Sequence, residues 1–304
     1  NPIVGQVWYN STTQILKGAS AGGGAWSSGG ALNNARSQII GAGIQTAAIA
    51  FGGESPPGLT SVDTELYNGS SWTEVNNLPT RRQQGGSAGT QTAALAFGGT
   101  DSTAPGTKNN TFEWDGTNWT DGGNLSTART NISGCGIQTA ALANGGGTAP
   151  GTASVVNVEE YNGTSWTAGG DLNTARNSSA SFGLQTNAFC VDGVVSVNVE
   201  LYNGTSWTET TENNTGRSGL GGAGTTTSGI IFGGYTPTIT AITESWDGSA
   251  WTEVADLATA ARNMASAGAS NASALSSGGL APGNTAATEE WTVTDFTTKT
   301  FDVS

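Results

Sequence analysis

The chain has 304 residues, ten lysines and arginines against 23 acids, a net charge of −13 and no histidine. A partner whose phosphates must be neutralised by a clustered basic face does not fit that balance, which sets aside nucleic acid and anionic membranes alike. Without histidine there is no Ser-His-Asp or Cys-His catalysis and no usual zinc site; no apolar run is long enough to insert into a membrane, and no cofactor is expected.

Residues 1–22 read as a β-hairpin extension, and a propeller is expected over 23–304. The first residue is Asn1 rather than methionine, so the chain is expected to be processed or to be a piece of something longer. From Trp26 onward tryptophan recurs at Trp72, Trp119, Trp166, Trp207 and Trp251, with gaps of 46, 47, 47, 41 and 44 residues. A period of that size, built from short strand-like pieces and glycine turns, predicts an all-β, six-bladed β-propeller with four antiparallel strands per blade. High Gly, Ser, Thr and Asn content would suit disorder, but ten tryptophans in an ordered repeat argue for packing.

Each unit follows one order. An arginine comes ten residues after the tryptophan (Arg36, Arg82, Arg129, Arg176, Arg217), or eleven in the last copy (Arg262). A small-residue inner strand runs from it to a turn position filled by Gln45, Gln91, Gln138, Gln185, Thr226 or Asn271. A short apolar second strand follows, as in Ala93 to Phe97, ended by a glycine pair that is degraded to Asp192-Gly193 in one unit. The third strand carries an aromatic (Tyr67, Trp114, Tyr161, Tyr202, Trp246, Trp291) preceded two residues earlier by Glu65, Glu159, Glu200, Glu244 or Glu289; the second unit has Phe112 there. Asn-Gly and Asp-Gly then lead to the tryptophan strand and predict a type I′ turn with positive φ at both residues. The same chemistry accounts for the Asn-x-Ser/Thr triplets at Asn68, Asn162 and Asn203, which otherwise look like glycosylation acceptors.

The last unit lacks a fourth strand of its own, and the orphan strand at Trp26 is expected to complete it, protecting the sheet edges. The competing arrangement seats Phe296 there; otherwise Phe296 to Val303 form an extra strand pairing within residues 3–16.

The glycine pair, the glutamate before the aromatic, the tryptophan and the arginine, in that order and repeated, resemble the kelch repeat over residues 26 to about 292. The third-to-fourth connection is shorter than in most kelch blades. Residues 5–26, with Gly5-Gln6-Val7-Trp8-Tyr9-Asn10-Ser11-Thr12-Thr13, look like a segment of bacteriophage tail fibres and related virion proteins. Copper chemistry of the kelch-like galactose oxidases would imply two histidines, which this chain lacks.

Two readings apply to the repeated Arg and Glu. Some six-bladed lectins use an Arg, a Glu and an aromatic in every blade as sugar pockets; alternatively, each Arg pairs with a blade glutamate or caps backbone carbonyls. The structural reading is preferred because kelch proteins of unrelated function share these residues, and the tryptophans Trp72, Trp119, Trp166, Trp207 and Trp251 are read as interblade packing. Cys135 and Cys190 replace alanines of other units and are expected as inert core thiols. Catalysis by two carboxylates needs only a pair of acids flanking a bond, but most acids here sit at repeat positions, so no enzyme is expected.

The separation from the first glycine position to the third-strand aromatic varies, at 15, 16, 16, 10, 13 and 13 residues, while other spacings are nearly fixed. Loops on a rigid scaffold usually carry binding determinants, and these loops, with Glu54, Asp63, Asp101, Lys108 and Tyr235, form the candidate binding face. The expectation is a non-enzymatic structural or adhesion module of a virion surface or extracellular setting, in contact with other virion or cell-surface proteins, with host glycans, or with copies of itself. A secreted lectin is the alternative, and a carboxylate-dependent glycoside hydrolase the remotest.

Overall fold

The structure is a computed structural model that describes residues 7–10, 15–20, 23–104, 106–148, 153–194, 196–294 and 297–301. It is all-β, and six four-stranded antiparallel sheets form the blades of a propeller. Blade 1 comprises Ile40–Ile44, Ala47–Phe51, Thr64–Tyr67 and Trp72–Val75; blade 2, Gly86–Thr90, Ala93–Phe97, Thr111–Trp114 and Trp119–Gly122. Blade 3 comprises Ser133–Ile137, Ala140–Asn144, Val158–Tyr161 and Trp166–Ala168; blade 4, Ala180–Leu184, Asn187–Val191, Val199–Tyr202 and Trp207–Glu209. Blade 5 comprises Gly221–Thr225, Ser228–Phe232, Thr243–Trp246 and Trp251–Glu253; blade 6, Ala265–Ser270, Ser273–Ser277, Thr288–Val293 and Gly24–Ser28.

The closure expected from the tryptophan period is present: Trp26 pairs with Trp291 in register, and its indole Nε1 donates to Thr243 Oγ1 of blade 5 at 3.1 Å. Phe296 lies outside the described residues, but Thr297–Phe301 pairs with Ile15–Ser20, which in turn pairs with Val7–Asn10. The extra strand therefore exists, matched to residues 16–20 rather than spread over 3–16, and it joins the extension's sheet instead of a blade.

Burial explains why the second strands are the most apolar. Each is sandwiched between neighbouring blades, and in Ala47–Phe51 and Ala93–Phe97 four of five residues are buried. Inner strands surround an axial channel and stay small because they crowd there. A Cβ on Gly134 would lie 2.3 Å from Phe97 Cζ and 2.6 Å from Ser87 O. Both cysteines are free and buried in the blade 3–4 core, where burial pushes the Cys135 thiol well above the ordinary range.

One expectation fails at the hairpins. Tyr67 pairs with Trp72, so residues 68–71 form a four-residue loop in which only Gly69, at φ 89°, is left-handed. Asn68 Oδ1 instead accepts from Ser70 N and Ser71 N, both at 2.9 Å, and Asp115 and Asp247 cap their loops in the same way. An Asx turn, not a type I′ turn, is what selects Asn or Asp here.

Blade-to-blade contacts reuse four devices. On the loop face the second glycine of each pair donates its N–H to the next blade, as in Gly99 N to Arg129 O at 2.7 Å. The Nε1 atoms of Trp26, Trp72, Trp119 and Trp166 donate to a threonine of the preceding blade, as in Trp166 to Thr111 at 2.9 Å, whereas among the described residues those of Trp207 and Trp251 find no partner. On the opposite face the turn glutamine reaches back: Gln138 Nε2 donates to Ala94 O and Trp114 O. Finally, Tyr161, Tyr202 and Tyr67 hydroxyls donate to Glu113, Glu160 and Glu290 across the boundary.

Candidate functional site

The repeated arginines and glutamates are scaffold in four blades. Arg36 is fully buried; its Nη1 donates to Gly52 O at 2.7 Å and Asp63 O at 3.0 Å, and its Nη2 pairs with Glu65 at 2.5 Å. The other oxygen of Glu65 accepts from Asn33 N, so the pair fastens the linker entering the blade to the third strand. Arg129–Glu159, Arg176–Glu200 and Arg217–Glu244 repeat the arrangement. Side chains so deeply buried reach no ligand arriving from solvent, so sugar pockets built from this Arg and Glu have no opening. Trp72, Trp119, Trp166, Trp207 and Trp251 are likewise buried between blades.

Blades 2 and 6 depart in opposite directions. Arg82 keeps its carbonyl bonds but faces Phe112, 4.9 Å from the ring, with Asn110 Oδ1 as its remaining partner; burial without a carboxylate pushes the guanidinium down to about 9. In blade 6 the eleven-residue spacing displaces Arg262 from the scaffold position, where Ala261 is buried instead. Arg262 lies over the Tyr235 ring at 4.7 Å, and Glu289 caps Ala258 N and Thr259 N without an arginine. Arg262 is thus a loop-face residue rather than part of the buried ladder.

The variable loops share a face with the blade linkers, as antiparallel bridges Ser37 to Glu54, Gln83 to Thr100 and Ser218 to Tyr235 show. They are stiffened by hairpins of their own, Glu54–Ser55 with Leu59–Thr60 and Leu280–Ala281 with Gly283–Asn284. The residues singled out on them do not converge. Glu54 accepts from Gln38 Nε2 at 3.1 Å; Asp63 Oδ2 accepts from Asn34 at 3.4 Å; Tyr235 stacks with Arg262. Burial raises the Asp101 carboxyl, yet hydrogen bonds from Thr103 N and Oγ1, with Lys108 nearby, outweigh it and hold the group below its usual range.

A more concentrated feature lies at the channel mouth on this same face. Gln38, Gln84, Asn131, Ser178 and Asn263, one per blade, all take left-handed φ between 50° and 56°, and Gly219 completes the ring at 62°. Their main chains bond head to tail: Gln84 N to Gln38 O, Ser178 N to Asn131 O, Gly219 N to Ser178 O and Asn263 N to Gly219 O, at 2.7–3.2 Å. Non-glycine residues in this region cost of order 1 kcal/mol each and persist only where the surroundings impose them. The ring rims a cavity of about 110 Å³ walled below by Ile39, Ile132 and Leu220, and among the described residues no charged side chain lines it. Sequence reasoning passed over it, although the offset of two residues after the arginine is constant in the first five units.

Asp192 is the remaining singularity. It holds a glycine position at φ 59°, fully buried, with Oδ2 accepting from Asn213 Nδ2 at 3.0 Å and Arg217 N at 3.2 Å. Desolvation lifts its carboxyl to about 8 against the pull of Arg217. Being closed to solvent, it offers no catalytic acid to a substrate, and among the described residues no group of three or more Cys, Asp or Glu is placed to hold a metal ion.

A scan against protein-family models finds no match for the chain, and a search of curated proteins finds none either.

Proposed function

We propose that this chain is a non-enzymatic contact module, a kelch-like propeller that presents its loop face to another surface, in the setting of a phage virion as tail fibre or surface decoration. The observation that carries the reading is the division of labour among polar residues: the recurrent Arg–Glu pairs are sealed inside blades as structure, while the stiff loops of unequal length sit together on one face. Such a disc is suited to positioning determinants rather than to moving bonds. The likeness of residues 5–26 to tail-fibre segments supports the virion setting. Mass spectrometry of purified particles tests it: the chain is expected in stoichiometric amount, and its absence from every particle would end this reading.

A secreted lectin is the second reading. The uncharged, hydrogen-bonding cup at the channel mouth favours it, but the four buried Arg–Glu pairs do not supply its site.

A further inference from the structure

We propose that the axial mouth of the propeller is a single binding site for one neutral sugar residue, taken end-on from the tip of a glycan; this rests on reading the chain as a surface-contact module. The rim offers paired donors and acceptors. Among the described residues the side-chain amides of Asn131 and Asn263 bond to no protein group, Gln84 accepts from Thr130 Oγ1 but leaves its Nε2 free, and the Ser178 hydroxyl donates to Asn177. Asn263 leans over the gap left by Gly219, where an added Cβ would meet its Oδ1 at 2.3 Å. Carboxamides present donor and acceptor side by side, which matches adjacent hydroxyls of a sugar ring.

Just below them Ile39, Ile132 and Leu220 form apolar parts of the channel wall that suit the C–H edges of that ring. Charge selects against anions: the lining holds no Lys or Arg, and Glu54 stands behind Gln38. At about 110 Å³ the cup is well below the size of pockets that engulf a ligand. It therefore receives one terminal residue weakly, and useful adhesion comes from several copies acting together. The left-handed backbone is the device that turns five successive blade linkers so that their polar side chains share one rim.

Titration of the whole chain by NMR with neutral hexose-terminated and sialic-acid-terminated oligosaccharides tests this. The double variant Asn131→Gly/Asn263→Gly removes both amides, while glycine takes positive φ freely, as Gly219 already does in the ring. One equivalent of neutral glycan per chain is expected, at least tenfold weaker in the variant with the melting temperature unchanged, and no gain from sialic acid. Six equivalents per chain, preference for the anionic glycan, or undiminished binding by the variant would overturn the site. Should no glycan bind while the chain is still found on particles, the sugar site falls and the contact-module reading stands; the same holds if the variant blocks only a protein partner. Absence from particles with glycan binding intact separates the two the other way.

Discussion

The boundary between blades 2 and 3 and the boundary between blades 4 and 5 are made from the same repeat positions and held by different forces. At the first, Trp166 donates to Thr111, Gln138 reaches Ala94 O and Trp114 O, and the Tyr161 hydroxyl meets Glu113. At the second all three are gone. Val199 stands where the threonine would be and leaves Trp251 Nε1 buried without a partner; Thr226 replaces the glutamine; Leu201 faces Trp246 in place of the Glu–Tyr pair. Phe189 packs edge-on against Trp246 at 5.6 Å between centroids, within a cluster that includes Phe182, Val191, Leu220 and Ile231. One repeat thus tolerates either directional polar ties or an apolar seam, provided the main-chain bond on the loop face is kept, here Gly193 N to Arg217 O at 3.1 Å.

Truncation of the seam should have the largest effect. Phe189→Ala is expected to lower stability by about 3–5 kcal/mol, the usual result of emptying a buried aromatic site, read by denaturant unfolding; the same loss from Leu66→Ala at the blade 1–2 boundary would deny blades 4 and 5 their special dependence on packing. Thr111→Val imposes on blades 2 and 3 the defect that blades 4 and 5 already carry, an orphaned indole N–H, and should cost about 1–3 kcal/mol. In the opposite sense, Val199→Thr gives Trp251 Nε1 an acceptor and should raise the unfolding free energy by ~1 kcal/mol. If it destabilises, the threonine at this position is not what satisfies the indole.

The two boundaries should also separate in pH. The Tyr161 hydroxyl is raised from 10.0 to about 12 by burial and by its bond to Glu113. Its contribution is complete below pH 10 and is lost as pH rises through 12. Asp192 is raised from 3.8 to about 8, so the stability linked to its neutral form is present below pH 4 and drains away as pH climbs through 8. Asp192→Asn keeps the shape and tolerates left-handed φ; its melting temperature relative to the parent should rise between pH 4 and 8. A pH-independent difference would show that Asp192 does not titrate there.

Much of this fold was legible in the amino-acid order because propeller packing repeats its chemistry. The spacing of Trp26, Trp72 and their successors located the blades and the closing strand. The Arg–Glu pairs could be expected as scaffold, and the eleven-residue spacing before Arg262 already marked the copy that leaves it. Other features needed the third dimension. Glu113, Glu160 and Glu290 occur one blade ahead of Tyr161, Tyr202 and Tyr67, and Leu66, Leu201 and Ser245 one blade ahead of tryptophans. That correlation has meaning only once consecutive third strands are known to face each other. Asn68-Gly69 fits both a two-residue and a four-residue loop, and the pairing of Tyr67 with Trp72 decides between them. The channel-mouth ring was hidden because Gln, Asn and Ser carry no periodic apolar signal, and its constant offset of two residues after the arginine in the first five units gains meaning only once neighbouring blades are seen to impose a left-handed backbone there.

Native-state hydrogen exchange compares the two boundaries most directly, through the matched interblade amides of Gly99 and Gly193. With intrinsic rates corrected, Gly193 should exchange through a lower-energy opening than Gly99, and Val199→Thr should narrow the gap. Equal protection at the two amides, or stronger protection at Gly193, would contradict the account that the orphaned Trp251 indole leaves the apolar seam the weaker of the two boundaries.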